Sequence, residues 1–317
     1  MPLLLVFLLA AAPRCEGLRP LRPQLYVLGG RLSMASWASE AVVSLATYKP
    51  ERLLHNSVGV SQACSVLPLI WACTSVLAQE SHNMTRAHRR LQLGLAAASV
   101  WSATTVVFSP IFTSAMVRTV DPVVYPLPVK LLVTLVHVCF AGFCLSDWRR
   151  SINSRPNVWR VASGVLASAP GLSSSTAEDK KDDRELSAVL SSLSVSFAAF
   201  AGLAIFAPFP LATVPSLLGK RMARAFGAWA WLSSVVLHVL KQRGEEGEQL
   251  SAASSRRLAG AVALMAASHV VLFVVRVVCE SAIVYPAGMA CRPAVVASLL
   301  IYLIALEAAR RVRADTV

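Results

Sequence analysis

The chain has 317 residues, of which 56% are hydrophobic and 15% charged, with a formal net charge of +13. Globular domains carry roughly 25% charged residues, and a mean hydropathy of +0.59 argues against an ordinary soluble fold. The excess of Lys and Arg does not point to nucleic acid. It sits between apolar blocks of about twenty residues, the length that crosses ~30 Å of hydrocarbon.

Residues 1–17 read as a secretory signal peptide. Their short apolar core is followed by Cys15 and Gly17, small residues at the −3 and −1 positions of a cleavage point. Residues 18–55 form either a short basic lumenal arm or a transit-like segment, ending in an amphipathic or loop stretch. Arg19, Arg22 and Arg31, several serines and no acid before Glu40 give it that composition. A signal peptide followed by such a segment resembles the bipartite presequences of plastids acquired from a red alga. That resemblance implies a plastid membrane, as an alternative to the endomembrane or plasma membrane reached by the secretory pathway.

Residues 56–317 read as a transmembrane helical domain, an all-α polytopic bundle of about seven spans. They lie near 57–79, 93–117, 122–146, 186–208, 225–240, 258–280 and 293–309. The fifth is the shortest, and Arg221 and Arg224 can lengthen it by snorkelling. A solvated flexible loop fills 151–185, with a surface helix at 157–169. The loops give an orientation. Seventeen Lys and Arg fall on one side of the spans and six on the other. The richer side is expected to be cytosolic or stromal, with the N-terminus lumenal. The sequon Asn83-Met84-Thr85 then falls on the wrong side for glycosylation.

Polar groups inside lipid mark function or buried pairing. The sixth span carries His269, Arg276 and Glu280, spaced by seven and eleven from the histidine and so on one helical stripe. The third carries Lys130, His137 and Cys144 at steps of seven. His137 and His269 share a depth of roughly 15–18 Å from the cytosolic surface. Three readings follow. The two stripes line a path or pocket for a small solute or ion. Alternatively, the histidines are axial ligands of a haem iron or of chlorophylls. In the third, each histidine hydrogen-bonds a neighbour and Arg276 pairs with Glu280. Nothing points to soluble-type catalysis: no phosphate loop, Cys-x-x-Cys or His-Glu-x-x-His occurs. The last span has no Lys for a retinal Schiff base and no Asn-Pro-x-x-Tyr of a seven-helix receptor.

Cys279 and Cys291 fall together at the lumenal end of the last hairpin, where an oxidising lumen allows a disulfide. Glu307 is expected to pair with Arg310 or Arg311. Small residues recur every fourth position, as at Gly94, Ala98 and Ser102, at Ala198 and Gly202, and at Ala259, Ala263 and Ala267. They predict close helix packing, within the bundle or against other membrane subunits. Phe108-Ser109-Pro110 matches Phe206-Ala207-Pro208, and Val124-Tyr125-Pro126 matches Val284-Tyr285-Pro286. These matches suggest one helix followed by three parallel hairpins. The leading expectation is solute or ion translocation. An accessory subunit, or a pigment or haem protein, in an energy-converting membrane is the alternative.

Overall fold

The computed structural model describes residues 21–46, 53–81, 84–107, 127–151, 181–206, 217–242, 250–282 and 292–314. Among them every element is a helix: α1 (Arg22–Ala46), α2 (Leu53–Gln79), α3 (Arg86–Val107), α4 (Leu127–Ser151), α5 (Lys181–Phe206), α6 (Leu217–Lys241), α7 (Ala252–Ala282) and α8 (Arg292–Ala314). Seven of these coincide with the seven hydrophobic segments. The eighth, α1, occupies the stretch expected to be an arm. It buries Tyr26, Ser33 and Trp37 in the bundle. The helix is hard to see in sequence because its apolar residues are interrupted by a glycine pair and by serines. That pair is what lets it pack. A Cβ on Gly29 would lie 2.2 Å from the Phe140 ring, and one on Gly30 would lie 2.6 Å from Thr74 Oγ1. The glycines let α1 settle between α2 and α4.

The helices pair as consecutive hairpins, α1 with α2, α3 with α4, α5 with α6 and α7 with α8. Two broad contacts join hairpins distant in sequence, α2 against α7 and α3 against α6. Narrower contacts join α2 to α6, α1 to α4, α5 to α8, α2 to α3 and α6 to α7. The starts of α1, α3 and α7 and the ends of α2, α4 and α6 meet at one end, where Arg22 contacts Ser81 and Asp147 and Arg90 contacts Gln242. We call this the charged end. The start of α1 therefore lies at this end, with the ends of α2, α4 and α6.

Inside the helices, Thr74, Ser102, Thr104, Ser192, Ser196, Ser233 and Ser268 each donate to the carbonyl four residues back. Their hydroxyls thus need no outside partner. Small groups fill much of the interior, including Ala72, Ala96, Ala98, Ala201, Ala259 and Ala305, while Leu131, Leu132, Leu135, Leu203, Phe206, Leu264, Val271, Leu300 and Ile304 are exposed. Two helical segments, Leu131–Ser151 and Glu185–Phe206, are long and apolar enough to cross a membrane. Gly94 of the small-residue stripes meets Leu232 and Val235 of α6, whereas Gly202 faces open space.

Candidate functional site

The charged end is built by helix capping. Thr85 precedes α3, and its backbone N–H donates to His88 Nδ1 at 3.1 Å, with its hydroxyl 2.8 Å from the same atom. This is a capping box with His in the place usually held by Glu or Gln. Because Nδ1 accepts, the hydrogen sits on Nε2, which lies 2.8 Å from Glu80 Oε2. The other Glu80 oxygen accepts from Ser251 and Ser254. Ser251 is itself the N-cap of α7, its hydroxyl accepting from the Ser254 N–H at 3.2 Å. One carboxylate at the end of α2 therefore meets the first turns of two helices, where their dipoles favour negative charge. Burial pushes the Glu80 carboxyl up, but the two serines and His88 outweigh it and hold it below its ordinary value. Burial lowers His88, Glu80 pulls it back up, and Arg22 adds to the lowering, so it stays below its ordinary range.

A second cluster lies beside the first. Asp147 is almost wholly buried, with Oδ1 2.6 Å from Arg22 Nε. Its Oδ2 accepts from the Tyr26 hydroxyl at 2.6 Å and from Gln92 Nε2 at 2.7 Å. Arg22 also donates to the Ser81 carbonyl at 2.7 Å. The cluster ties α1, α3, α4 and the turn after α2 together. Two further bonds frame it: Arg90 of α3 donates to Gln242 after α6, and Arg257 of α7 donates to Gln79 of α2.

Below this end lies a layer of buried polar atoms with no partner among the described residues: Ser33 Oγ, Trp37 Nε1, Ser99 Oγ, His137 Nδ1 and Trp229 Nε1. Counted along their helices, all sit roughly 15–22 Å from the charged end. Gln92 Oε1 and His238 Nε2 also lack partners but lie closer to that end. Within the layer His137 Nε2 is 3.4 Å from Ser36 Oγ. The Trp37 and Trp229 rings meet edge to face with centroids 6.0 Å apart. Helices α1, α4 and α6 thus converge here. A buried donor left unmade costs about 1–3 kcal/mol, so several at one level need a reason.

The stripe residues whose side chains are described, His137 and Cys144 of α4 and His269 of α7, are placed apart. Helix α4 packs on α3 and α1, and α7 on α8, α2 and α6; α4 and α7 form no packed pair among the described residues. His137 meets Ser36 of α1. His269 bonds the Met265 carbonyl one turn back at 3.0 Å and stacks on Tyr302 of α8 at 4.2 Å. The two imidazoles have separate neighbours, which does not suit a single iron held between them. Among the described residues no group of three or more His, Cys, Asp or Glu could hold a metal. The side chains of Lys130, Arg276, Glu280 and Cys279 lie outside the described residues, as do Cys291, the 1–17 segment and both repeated tripeptide pairs apart from Phe206. Glu307 pairs with Arg310 at 2.7 Å and Arg311 at 3.1 Å.

Sequence reasoning missed Trp37, Trp229, Glu80, His88 and Asp147 as partners. The first sat in the presumed arm. His88 in Thr-x-x-His was the available signal, hidden by the absence of Glu or Gln. The chain matches no family model, no curated protein and no solved structure.

Proposed function

We propose that the protein is a multi-pass membrane protein that binds a small solute at mid-depth and passes it across the bilayer. The layer of unpartnered buried groups around His137 and Trp229 carries this reading. Indole N–H groups only donate, and no acidic side chain is among the unpartnered groups of the layer. The solute therefore offers acceptor oxygens and is neutral or anionic rather than a cation. The outward Leu, Ile, Val and Phe side chains, away from the charged end, suit lipid, since in hydrocarbon apolar groups face outward and backbone bonds close within helices. Eight spans with the charged end facing the cytosol or stroma agree with the positive-inside rule. That topology sets the start of α1 on the same side. Of the residues first singled out, His137 stays in the path, now with Ser36, Trp37 and Trp229. Lys130 is seven residues away on the same helical stripe.

The test is uptake by the purified protein in liposomes, using labelled small carboxylates, amides and polyols. At least one should enter faster than in empty vesicles. His137→Ala and Trp229→Phe should each cut that flux by about tenfold, the cost of one lost hydrogen bond to a buried group. Uptake equal to empty vesicles for the whole panel, or wild-type flux in both variants, would sink the reading.

A further inference from the structure

The packing of the eight helices has a hidden order. Exchanging α1–α4 with α5–α8 turns every packed pair into another packed pair: α2 with α7 becomes α6 with α3, α1 with α4 becomes α5 with α8, α2 with α3 becomes α6 with α7, and α2 with α6 maps onto itself. Side chains follow. The Arg90–Gln242 bond from α3 to the end of α6 has its mate in Arg257–Gln79 from α7 to the end of α2. Thr85 and Ser251 cap α3 and α7, and Gly94 and Gly260 stand equally far beyond those caps. His137 and Tyr302 are buried equally far into α4 and α8, counting from Leu127 and Arg292. Val-Tyr-Pro precedes both α4 and α8 in the sequence. This contact pattern is that of two parallel repeats, an arrangement that recurs in transporters.

The broad contacts do not divide the molecule at that repeat boundary. The pairs α1–α2, α2–α7 and α7–α8 make one body; α3–α4, α3–α6 and α5–α6 make the other. Each body takes one hairpin from each repeat and is held at the charged end by one of the two Arg–Gln bonds. Only the narrow contacts cross between the bodies. Two charged contacts cross with them, Arg22–Asp147 and His88–Glu80. Deeper in the same seam lie Ser36–His137 and Trp37–Trp229. At the α5–α8 edge the crossing is aromatic, Phe197 against Tyr302 at 5.7 Å.

We infer that these two four-helix bodies part along the seam at the charged end when Arg22–Asp147 breaks, opening the mid-depth layer to that side. This deepens the solute-path reading and rests on it for its purpose, though not for its geometry. Rigid bodies rocking about a fixed site are the usual form of alternating access. The aromatic edge would serve as the hinge side, and the ion-paired edge as the side that opens.

Distance measurement tests this on the full chain, with nitroxides carried on non-canonical residues so that native cysteines remain. One pair, Leu21 at the start of α1 with Arg150 at the end of α4, spans the seam at its ion-paired edge. Two pairs lie within bodies, Ala253 with Ala314 and Glu185 with Lys241. Asp147→Asn should lengthen and broaden the seam distance by roughly 5 Å, the scale of one element moving past another by a turn, with both internal distances unchanged. Arg22→Gln is the second variant should the first not fold. An unmoved seam distance in the folded variants overturns the inference, as does a change of equal size within the bodies. A seam that opens in a protein that passes no solute removes the transport reading and leaves the two-body motion standing.

Discussion

Arg22 and Asp147, 2.6 Å apart, join α1 to α4 across one of the narrower contacts between helices. The carboxylate is nearly inaccessible and has three partners, so its removal takes the shared acceptor from Arg22, Tyr26 and Gln92, leaving only the Ser81 carbonyl to Arg22 and the Tyr26 hydroxyl to Gln92. Breaking one side of a buried pair costs about 3–5 kcal/mol, more than the pair's net worth. Asp147→Ala should therefore lower thermal stability in detergent sharply. The double variant Arg22→Met with Asp147→Leu should be milder than Asp147→Ala alone. A double variant at least as unstable as the single would show that the pair is not the source of the loss.

The glycine pair of α1 makes a steric prediction. Gly29→Ala sets a methyl into the Phe140 ring, and overpacking of this kind costs about 1–3 kcal/mol. Phe140→Leu on that background should recover part of the loss. Measured melting temperatures in the four-variant cycle decide it, and simple additivity would refute the contact.

His88 and Glu80 predict an acid-sensitive junction. Both have folded pKa values below their ordinary ones, so the unfolded chain takes up protons first as pH falls. Stability from His88 is whole above about 6.5 and is lost below it. Stability from Glu80 is whole above its ordinary carboxyl value and is lost as pH falls through the lowered folded one. A proton on His88 Nδ1 would also face the Thr85 N–H that it now accepts, while Arg22 repels the new charge. His88→Gln keeps the capping box and should flatten the pH 7 to 5.5 part of the stability profile. An unchanged slope in that variant would remove His88 as its cause.

The paired Arg–Gln bonds should behave alike. Arg90→Ala and Arg257→Ala are each expected to cost about 1.5–3 kcal/mol, the range for a hydrogen bond to a charged group. The sites belong to different bodies, so their effects should add in the double variant. Strong coupling between them would argue that the bodies are one.

Seven helices were legible because long apolar blocks bounded by charge leave few alternatives, and the Glu307 pairing followed from helical spacing alone. Helix α1 was not legible. Its Gly29-Gly30 and serines lower its apolar density, and their meaning depends on Thr74 and Phe140, which are distant in sequence. The histidine depths could be counted along each helix, but their neighbours depend on which hairpins pack, and periodicity carries no such information. The tripeptide repeats pointed at repetition, and the Val-Tyr-Pro pair precedes α4 and α8 in the sequence, though at different distances. The Phe-x-Pro pair follows α3 and α5, which are not equivalent helices.

The broad contacts also fix an order of assembly. Helices α3 to α6 are contiguous, so their body can close while the chain is still being made. The other needs α1 and α2 to wait for α7 and α8, which are made later. Until then, α2 presents to its surroundings the face that α7 will cover, including Gln79 and Glu80. A chain stopped before α7 would hold one finished body and one orphan hairpin, a state that insertion factors and membrane proteases are suited to recognise. Emergence of α7 and α8 thus becomes the event that seals this body.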